Sequence, residues 1–501
     1  MAKKRGVDES NVNSNTPQVH ATNPQSSQVP AKKSVKAKCR TGIKALDQVL
    51  GGGFPKDAVV LVGGNSGAGK TILSLEWIFN GVTQFNENGV YVTFTEPLFK
   101  TLKNLEGMAF YKRDIIENEK IKILDLRQNI GTEDFAEEKL LSLIEAEVKK
   151  NGARRLIIDS ITAIAYILND KAKIRRFIFD LGTLLSTLGC TTILTSEVTG
   201  DTFSVYGVEE FISDGILILK YIEENFQSVR TLQIVKMRGI NFQKGMNAFR
   251  ITTNGIRMFP QLQVQLNYAS GKEKLSSGVT GLDKMSHGGF FRGSTNLIAG
   301  STGTGKSVLG LHFLWEGLKQ GEHCLLAGFE ESRDQILRNA LAFGFDFEKY
   351  EKKGLLKIIN AYPSQKYIEE HLLDIREVVD AMEIKRCVVD SLSSLGNSFD
   401  VEQFRYFVKR LNGYLKSKDV TSIFTSATAS LMAVETLTAA HLSTMTDNII
   451  LLKYVETAGE MKTMISILKT RGDDHSKSLR GYEVTSKGIV IGGTFHFLSD
   501  F

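Results

Sequence analysis

From residue 59 onward, short runs of aliphatic and β-branched residues alternate with longer stretches in which apolar positions recur every three or four residues. Segments 59–62, 90–94, 121–124, 156–158 and 192–194 are apolar almost throughout, the pattern of strands covered on both faces. Between them, 71–85 and 135–150 carry helical periodicity. Strand and helix alternating in this way predict a mostly parallel sheet with helices on both faces. Past Asp214 the pattern changes, and segments 215–222, 231–236 and 248–252 follow one another without long helices. These predict antiparallel strands at the sheet's C-terminal edge.

The same succession occurs twice. Thr41-Gly42-Ile43, Leu46-Asp47 and Gly52-Gly53-Phe54 return as Ser277-Gly278-Val279, Leu282-Asp283 and Gly288-Gly289-Phe290. A glycine-rich loop at Gly64 returns at Gly300, Ile158-Asp159-Ser160 as Val389-Asp390-Ser391, and Lys236-Met237-Arg238-Gly239 as Lys469-Thr470-Arg471-Gly472. Order and spacing persist over a unit far too long for a solenoid, so each copy is expected to hold its own core. The expected division is a tail over 1–40, a first α/β domain over 41–262, a polar linker over 263–275 and a second α/β domain over 276–501.

Charge sharpens this division. The chain of 501 residues has a formal net charge of +6, yet residues 1–40 hold eight Lys/Arg against two Asp/Glu, which leaves 54 of each sign in the remainder. The body exerts no net pull on polyanions, so nucleic acid is expected only at the basic tail, if at all. Rich in Asn, Gln, Ser, Thr and Lys, that tail has too little apolar surface to offset its ordering entropy and reads as a solvated arm. The four cysteines contain no C-x-x-C pair, which excludes a cysteine zinc site and suits a reducing compartment. No apolar run reaches membrane-spanning length and no signal peptide is evident, so a cytoplasmic protein is expected.

Two segments carry specific chemistry. Gly64-Asn65-Ser66-Gly67-Ala68-Gly69-Lys70-Thr71 and Gly300-Ser301-Thr302-Gly303-Thr304-Gly305-Lys306-Ser307 both fit G-x-x-x-x-G-K-[ST]. Each follows an apolar strand and opens a helix, so backbone amides can wrap a phosphate at a helix N-terminus. Lys70 and Lys306 would reach the outer phosphates of ATP, while Thr71 and Ser307 would ligate Mg²⁺. Asp159 and Asp390 end later strands, where an aspartate can hold the Mg²⁺ shell. Carboxylates also end the strand after the loop helix: Glu330 and Glu331 in the second copy, Glu96 alone in the first, where Thr95 takes the other place. A carboxylate there can accept a proton from an attacking nucleophile. Lys236, Arg238, Lys469 and Arg471 suit a phosphate clamp, including one supplied from a neighbouring subunit.

Aligning Asp214 with Asp447 exposes a difference between the copies. Ser443 and Thr444 stand where the first copy has Glu210 and Phe211. Hydroxyls close to a triphosphate can accept a phosphoryl group; a Glu-Phe pair cannot. Such hydroxyls also serve as loop or cap chemistry.

With these residues in place, the chain resembles the KaiC family over about residues 40–495. The resemblance rests on both phosphate loops, Tyr206-Gly207-Val208-Glu209-Glu210-Phe211, Phe329-Glu330-Glu331, His441-Leu442-Ser443-Thr444-Met445-Thr446-Asp447 and the two Lys-x-Arg-Gly segments. It implies two tandem RecA-like domains using ATP and Mg²⁺. The first would be a slow ATPase holding a homohexamer together, the second a Ser/Thr autokinase acting on the neighbouring subunit. By resemblance Ser443 and Thr444 are the acceptors, with Thr438 participating nearby. Glu330 is the general base and a Mg²⁺ ligand, supported by Glu331. Lys236-Met237-Arg238 and Lys469-Thr470-Arg471 reach the adjacent subunit's ATP, and Phe343 stands in the place of a tryptophan beside the base. Three departures accompany this: Thr95 in place of a glutamate, Asn397 in place of an arginine near the acceptors, and a chain that stops at Phe501. The last argues against a KaiA-like regulator, while a KaiB-like partner is left open. The competing expectations are a DNA-binding RecA-type motor and a nucleotide-dependent scaffold.

Overall fold

A computed structural model describes residues 37–95, 97–127, 137–168, 170–198, 209–224, 227–261, 271–427, 442–457 and 459–494. It contains two nine-stranded sheets of the same topology. The first runs Gly255–Phe259, Met246–Thr252, Gln227–Met237, Gly215–Glu224, Val59–Gly64, Thr191–Glu197, Arg155–Asp159, Gly89–Thr93 and Ile121–Asp125. The second repeats that order with Gly488–Thr494, Arg480–Thr485, Glu460–Thr470, Asn448–Thr457, Thr295–Gly300, Thr421–Ala427, Arg386–Asp390, Cys324–Gly328 and Leu356–Asn360.

The apolar runs form the parallel half of each sheet, and the segments past Asp214 and Asp447 form the antiparallel half. The predicted strands are therefore present, with Gly255–Phe259 as an unforeseen addition. This last strand is joined to Met246–Thr252 by a tight hairpin in which Thr252 pairs with Gly255.

The strand before each phosphate loop is central and fully buried. From it the chain enters the helices Lys70–Phe85 and Lys306–Lys319. The first helix buries Leu73, Leu75, Trp77, Ile78 and Phe79 against the sheet, which fixes its N-terminus over the sheet's C-terminal edge. Among the described residues no helix is long and apolar enough to cross a membrane.

Candidate nucleotide sites

Both phosphate loops depend on backbone that only glycine adopts readily. Gly69 caps the first helix at φ +99° and Gly305 caps the second at φ +84°. Neither helix has a side-chain cap, so its first amides point into the loop. The opening glycines are needed for a different reason: a Cβ on Gly64 would lie 2.3 Å from the Leu219 carbonyl oxygen, and one on Gly300 would lie 2.4 Å from that of Leu452.

The lysines fold back over their own loops. Lys70 Nζ donates to the carbonyls of Gly64 (2.9 Å) and Asn65 (3.1 Å), and Lys306 Nζ donates to that of Ser301 (2.9 Å). Burial lowers the pKa of both ammonium groups, and nearby carboxylates oppose that shift. Both charges are thus held where an anionic ligand would be strongly favoured.

Asp159 and Asp390 lie beside the loops. Thr71 Oγ1 donates to Asp159 Oδ2 at 3.0 Å, while Thr195 Oγ1 donates to Asp159 Oδ1 at 2.6 Å and Tyr91 OH to Oδ2 at 3.3 Å. In the second copy Thr425 donates to Asp390. Burial raises the Asp390 pKa, and hydrogen bonds from Thr425 and Ser307 counter it. A hydroxyl and a carboxylate joined in this way suit a hydrated divalent cation that also binds phosphate. Among the described residues no group of three or more His, Cys, Asp or Glu could hold a metal by itself.

Around the second loop lies a cavity of about 470 Å³, bordered by Lys306, Glu330, Glu331, Phe343 and Asp390 among others. Ser394 Oγ donates to Glu330 Oε1 at 2.6 Å, and Ser391 Oγ donates to the same oxygen. Glu331 turns aside and accepts from Asn339 Nδ2 at 3.1 and 3.2 Å. Phe343 packs beside Phe345, with ring centroids 6.1 Å apart. Asn397 sits on the helix Leu392–Ser398 that follows Asp390. In the first copy Thr95 is exposed. Glu96, Thr438 and His441 lie outside the described residues, as do residues 206–208.

The cationic segments and the two hydroxyls occupy the other end of the sheet. Strand Asn448–Thr457 runs parallel to Thr295–Gly300, with Asn448 beside Asn296 and Leu452 beside Gly300. Ser443 and Thr444, on the short helix Leu442–Met445, precede that strand, whereas the phosphate loop follows Gly300. At about 3.3 Å per residue, the central strand alone separates them by roughly 16 Å. Lys469 Nζ donates to the carbonyls of Ser443 (2.6 Å) and Thr446 (2.7 Å), and Arg471 Nη2 donates to that of Thr444 (2.8 Å). Thr470 pairs with Asn448 at the same edge. The first copy matches: Lys236 Nζ donates to the Ser213 carbonyl at 2.8 Å, Met237 pairs with Gly215, and Arg238 lies 3.7 Å from Asp214. Each half thus bears its G-x-x-x-x-G-K-[ST] loop and its cationic segment at opposite ends of one sheet.

Sequence reasoning missed the hydroxyls that orient the carboxylates: Thr195, Thr425, Ser391 and Ser394. Thr195 and Thr425 hold corresponding places in the two copies, so comparing the repeats would have exposed them.

A family described as "ATPase: KaiC" matches residues 39–263 and 275–494. The chain is 38% identical over 464 residues to a "Circadian clock oscillator protein KaiC" of Prochlorococcus marinus (strain MIT 9313), covering 91% of this chain and 93% of that protein. A protein of the same name from Thermostichus vulcanus is 40% identical over 464 residues, covering 91% and 89%. Another from Synechococcus elongatus is 38% identical over 467 residues, covering 92% and 90%.

Proposed function

The chain belongs to the KaiC family of ATPases, and from that membership we propose that its second half is a Ser/Thr autokinase that phosphorylates Ser443 and Thr444 of a neighbouring subunit. The single observation that carries this reading is the separation of Ser443 and Thr444, beside Lys469 and Arg471, from Lys306 and Glu330 at the opposite edge of the sheet. Within one chain the acceptors cannot reach their own loop without breaking the sheet. Two complementary edges on one body instead favour head-to-tail contact, which forms a ring where the rotation between subunits closes. We read the assembly as a homohexamer, with Lys236, Met237, Arg238, Lys469, Thr470 and Arg471 facing the next subunit's ATP.

In this reading Glu330 accepts the proton of the acceptor hydroxyl. The hydroxyl oxygen bonds to the γ-phosphorus, the bond to the β-bridging oxygen breaks, and ADP departs with that oxygen. Ser391 and Ser394 orient Glu330, and Glu331 stands beside it. The loops at residues 64–71 and 300–307 bind the phosphates, with Phe343 flanking the second pocket. Thr71 and Ser307, with Asp159, Asp390 and Glu330, would hold Mg²⁺, which when bound neutralises charge on the phosphates. The first half is read as the ATPase that maintains the ring, with Glu96 as its remaining motif acid. All four cysteines are buried free thiols, which suits a reducing cytoplasm. A KaiB-like partner is left open in this reading. The DNA-motor and scaffold readings are not favoured by the family membership.

Incubation with γ-labelled ATP followed by phosphosite mapping tests the proposal. Label on Ser443 and Thr444 is expected, and its loss in Glu330→Gln. A chain that hydrolyses ATP yet never acquires phosphate on either residue defeats the kinase assignment.

A further inference from the structure

Glu197 ends the strand that lies directly beside the one leading into the first phosphate loop, and its Cα is paired with that of Gly64. The next backbone amide, Val198 N, donates to the Gly64 carbonyl at 3.2 Å, the same oxygen that receives the Lys70 ammonium at 2.9 Å. Glu197 N in turn donates to Thr162 Oγ1 at 2.8 Å, which fixes the residue's backbone against the helix after Asp159. The side chain is exposed at the sheet's C-terminal edge.

The second copy supplies an internal control. At the corresponding place Ala427 is paired with Gly300, and Ala427 N donates to Ser393 Oγ at 3.0 Å. Backbone placement is therefore retained while the carboxylate is absent. The acids are distributed reciprocally. The second copy has Glu330, held by Ser394, and Ala427. The first has Thr95, with Ala163 in the place of Ser394, and Glu197.

We propose that Glu197 orients and deprotonates the attacking water at the first site, filling the role that Thr95 cannot. Water oxygen bonds to the γ-phosphorus, the bond from that phosphorus to the β-bridging oxygen breaks, ADP leaves with the oxygen, and the water proton passes to the Glu197 carboxylate and on to solvent. Water is small enough to fit between a carboxylate beside the loop and the γ-phosphate. The Lys70 ammonium feels the Glu197 carboxylate as well as that of Asp159, which places Glu197 within electrostatic reach of the phosphate lysine.

The inference rests on the reading of the first half as a hydrolase. It is tested in chains whose second site is silenced by Glu330→Gln, comparing Glu197 with Glu197→Gln. The readouts are phosphate release across ATP concentrations and the ATP-to-ADP ratio of nucleotide retained on the protein. Expected is a fall in kcat of roughly 10²-fold, half-saturating ATP within about twofold, and retained nucleotide shifted toward ATP. A structural partner of Lys70 would instead move half-saturation and leave kcat in place. Unchanged kcat, an effect confined to half-saturation, or absence of hydrolysis in the Glu330→Gln parent each overturns the proposal. The kinase reading fails separately, through missing label on Ser443 and Thr444 of the unmodified chain.

Discussion

Ser394 Oγ lies 2.6 Å from Glu330 Oε1, and the repeat places Ala163 where Ser394 stands. A hydroxyl that donates to a carboxylate helps to fix its rotamer. The copy that has no glutamate at Thr95 also has no such hydroxyl.

Ser394→Ala should therefore slow transfer to Ser443 and Thr444. Glu330 is exposed and keeps its bond from Ser391, so the loss is limited, roughly 3- to 10-fold in rate for one such hydrogen bond. The initial rate of labelling checks this, with the unfolding midpoint unchanged. A rate equal to that of the unmodified chain would show that Ser394 does not position the base.

Arg155 and Arg386 occupy equivalent places, and both side chains are fully buried. Arg155 lies 2.7 Å from Glu87 and 4.9 Å from the Trp77 ring centre; Arg386 pairs with Glu322 at 2.5 Å and lies 4.7 Å from the Phe313 ring centre. Removing one partner leaves the other charge uncompensated in a poorly hydrated place. Glu87→Ala or Glu322→Ala should destabilise the chain by about 3–5 kcal/mol, measured by denaturant unfolding. Losses below about 1 kcal/mol would mean that the arginine is hydrated in the folded state.

Glu76 and His312 also occupy one place in the two copies, and each accepts a backbone amide from the last hairpin strand: Ile256 N to Glu76 Oε2 at 2.8 Å, Ile489 N to His312 Nε2 at 3.0 Å. Burial moves the Glu76 carboxyl up to about 7 and the His312 imidazole down to about 4. The signs are opposite in effect. Folded Glu76 binds its proton more tightly than the unfolded chain does, so its contribution is lost as pH rises from about 4.5 to about 7. Folded His312 resists protonation, so stability is lost as pH falls from about 6.5 to about 4. Each swing is about 3 kcal/mol at 1.36 kcal/mol per pH unit. Glu76→Gln should flatten the first limb and His312→Gln the second in thermal unfolding followed across pH. Limbs that persist in these variants would assign them to other groups.

The phosphate loops were legible because their chemistry is local: glycines at fixed spacing, a lysine and a hydroxyl act within eight successive residues. The mostly parallel sheet followed from the alternation of apolar runs and helices, and the switch past Asp214 marked the antiparallel edge, whereas the order of the strands emerged only in the structure. What escaped is held together across long stretches of chain. Ser394 lies 64 residues from Glu330, and Arg155 lies 68 from Glu87. Arg155 begins a strand and looks like a solvated end, yet helix Lys70–Phe85 covers it, with the Trp77 carbonyl accepting from its Nη1 at 2.6 Å. Glu197 was passed over because a single acid after an apolar run resembles a strand terminus. Only the register with Gly64 gives it a place.

Opposite-edge placement makes a prediction about mixtures. A chain carrying Ser443→Ala and Thr444→Ala keeps its phosphate loop and Glu330 but has no acceptor. A chain carrying Glu330→Gln keeps both acceptors but has no base. If transfer occurs between subunits, neither chain alone acquires label, and mixing them should label Ser443 and Thr444 of the Glu330→Gln chain. The strand from Thr295 to Gly300 intervenes between acceptor and loop, so no side-chain rotation could bring them together within one subunit. In mixtures of the two chains, labelling should rise with the fraction of acceptor-free chains and then fall as acceptor chains become scarce, passing through a maximum near equal proportions. Arg471→Ala in the acceptor chain should lower the yield, since Arg471 lies at the edge that, in the proposed assembly, would meet the neighbour's ATP. Mass spectrometry of differently tagged chains reads both quantities. Label on the unmixed Glu330→Gln chain would show that the base is dispensable. Label absent from the mixture would show that donor and acceptor belong to one subunit, against the register of Asn448 with Asn296.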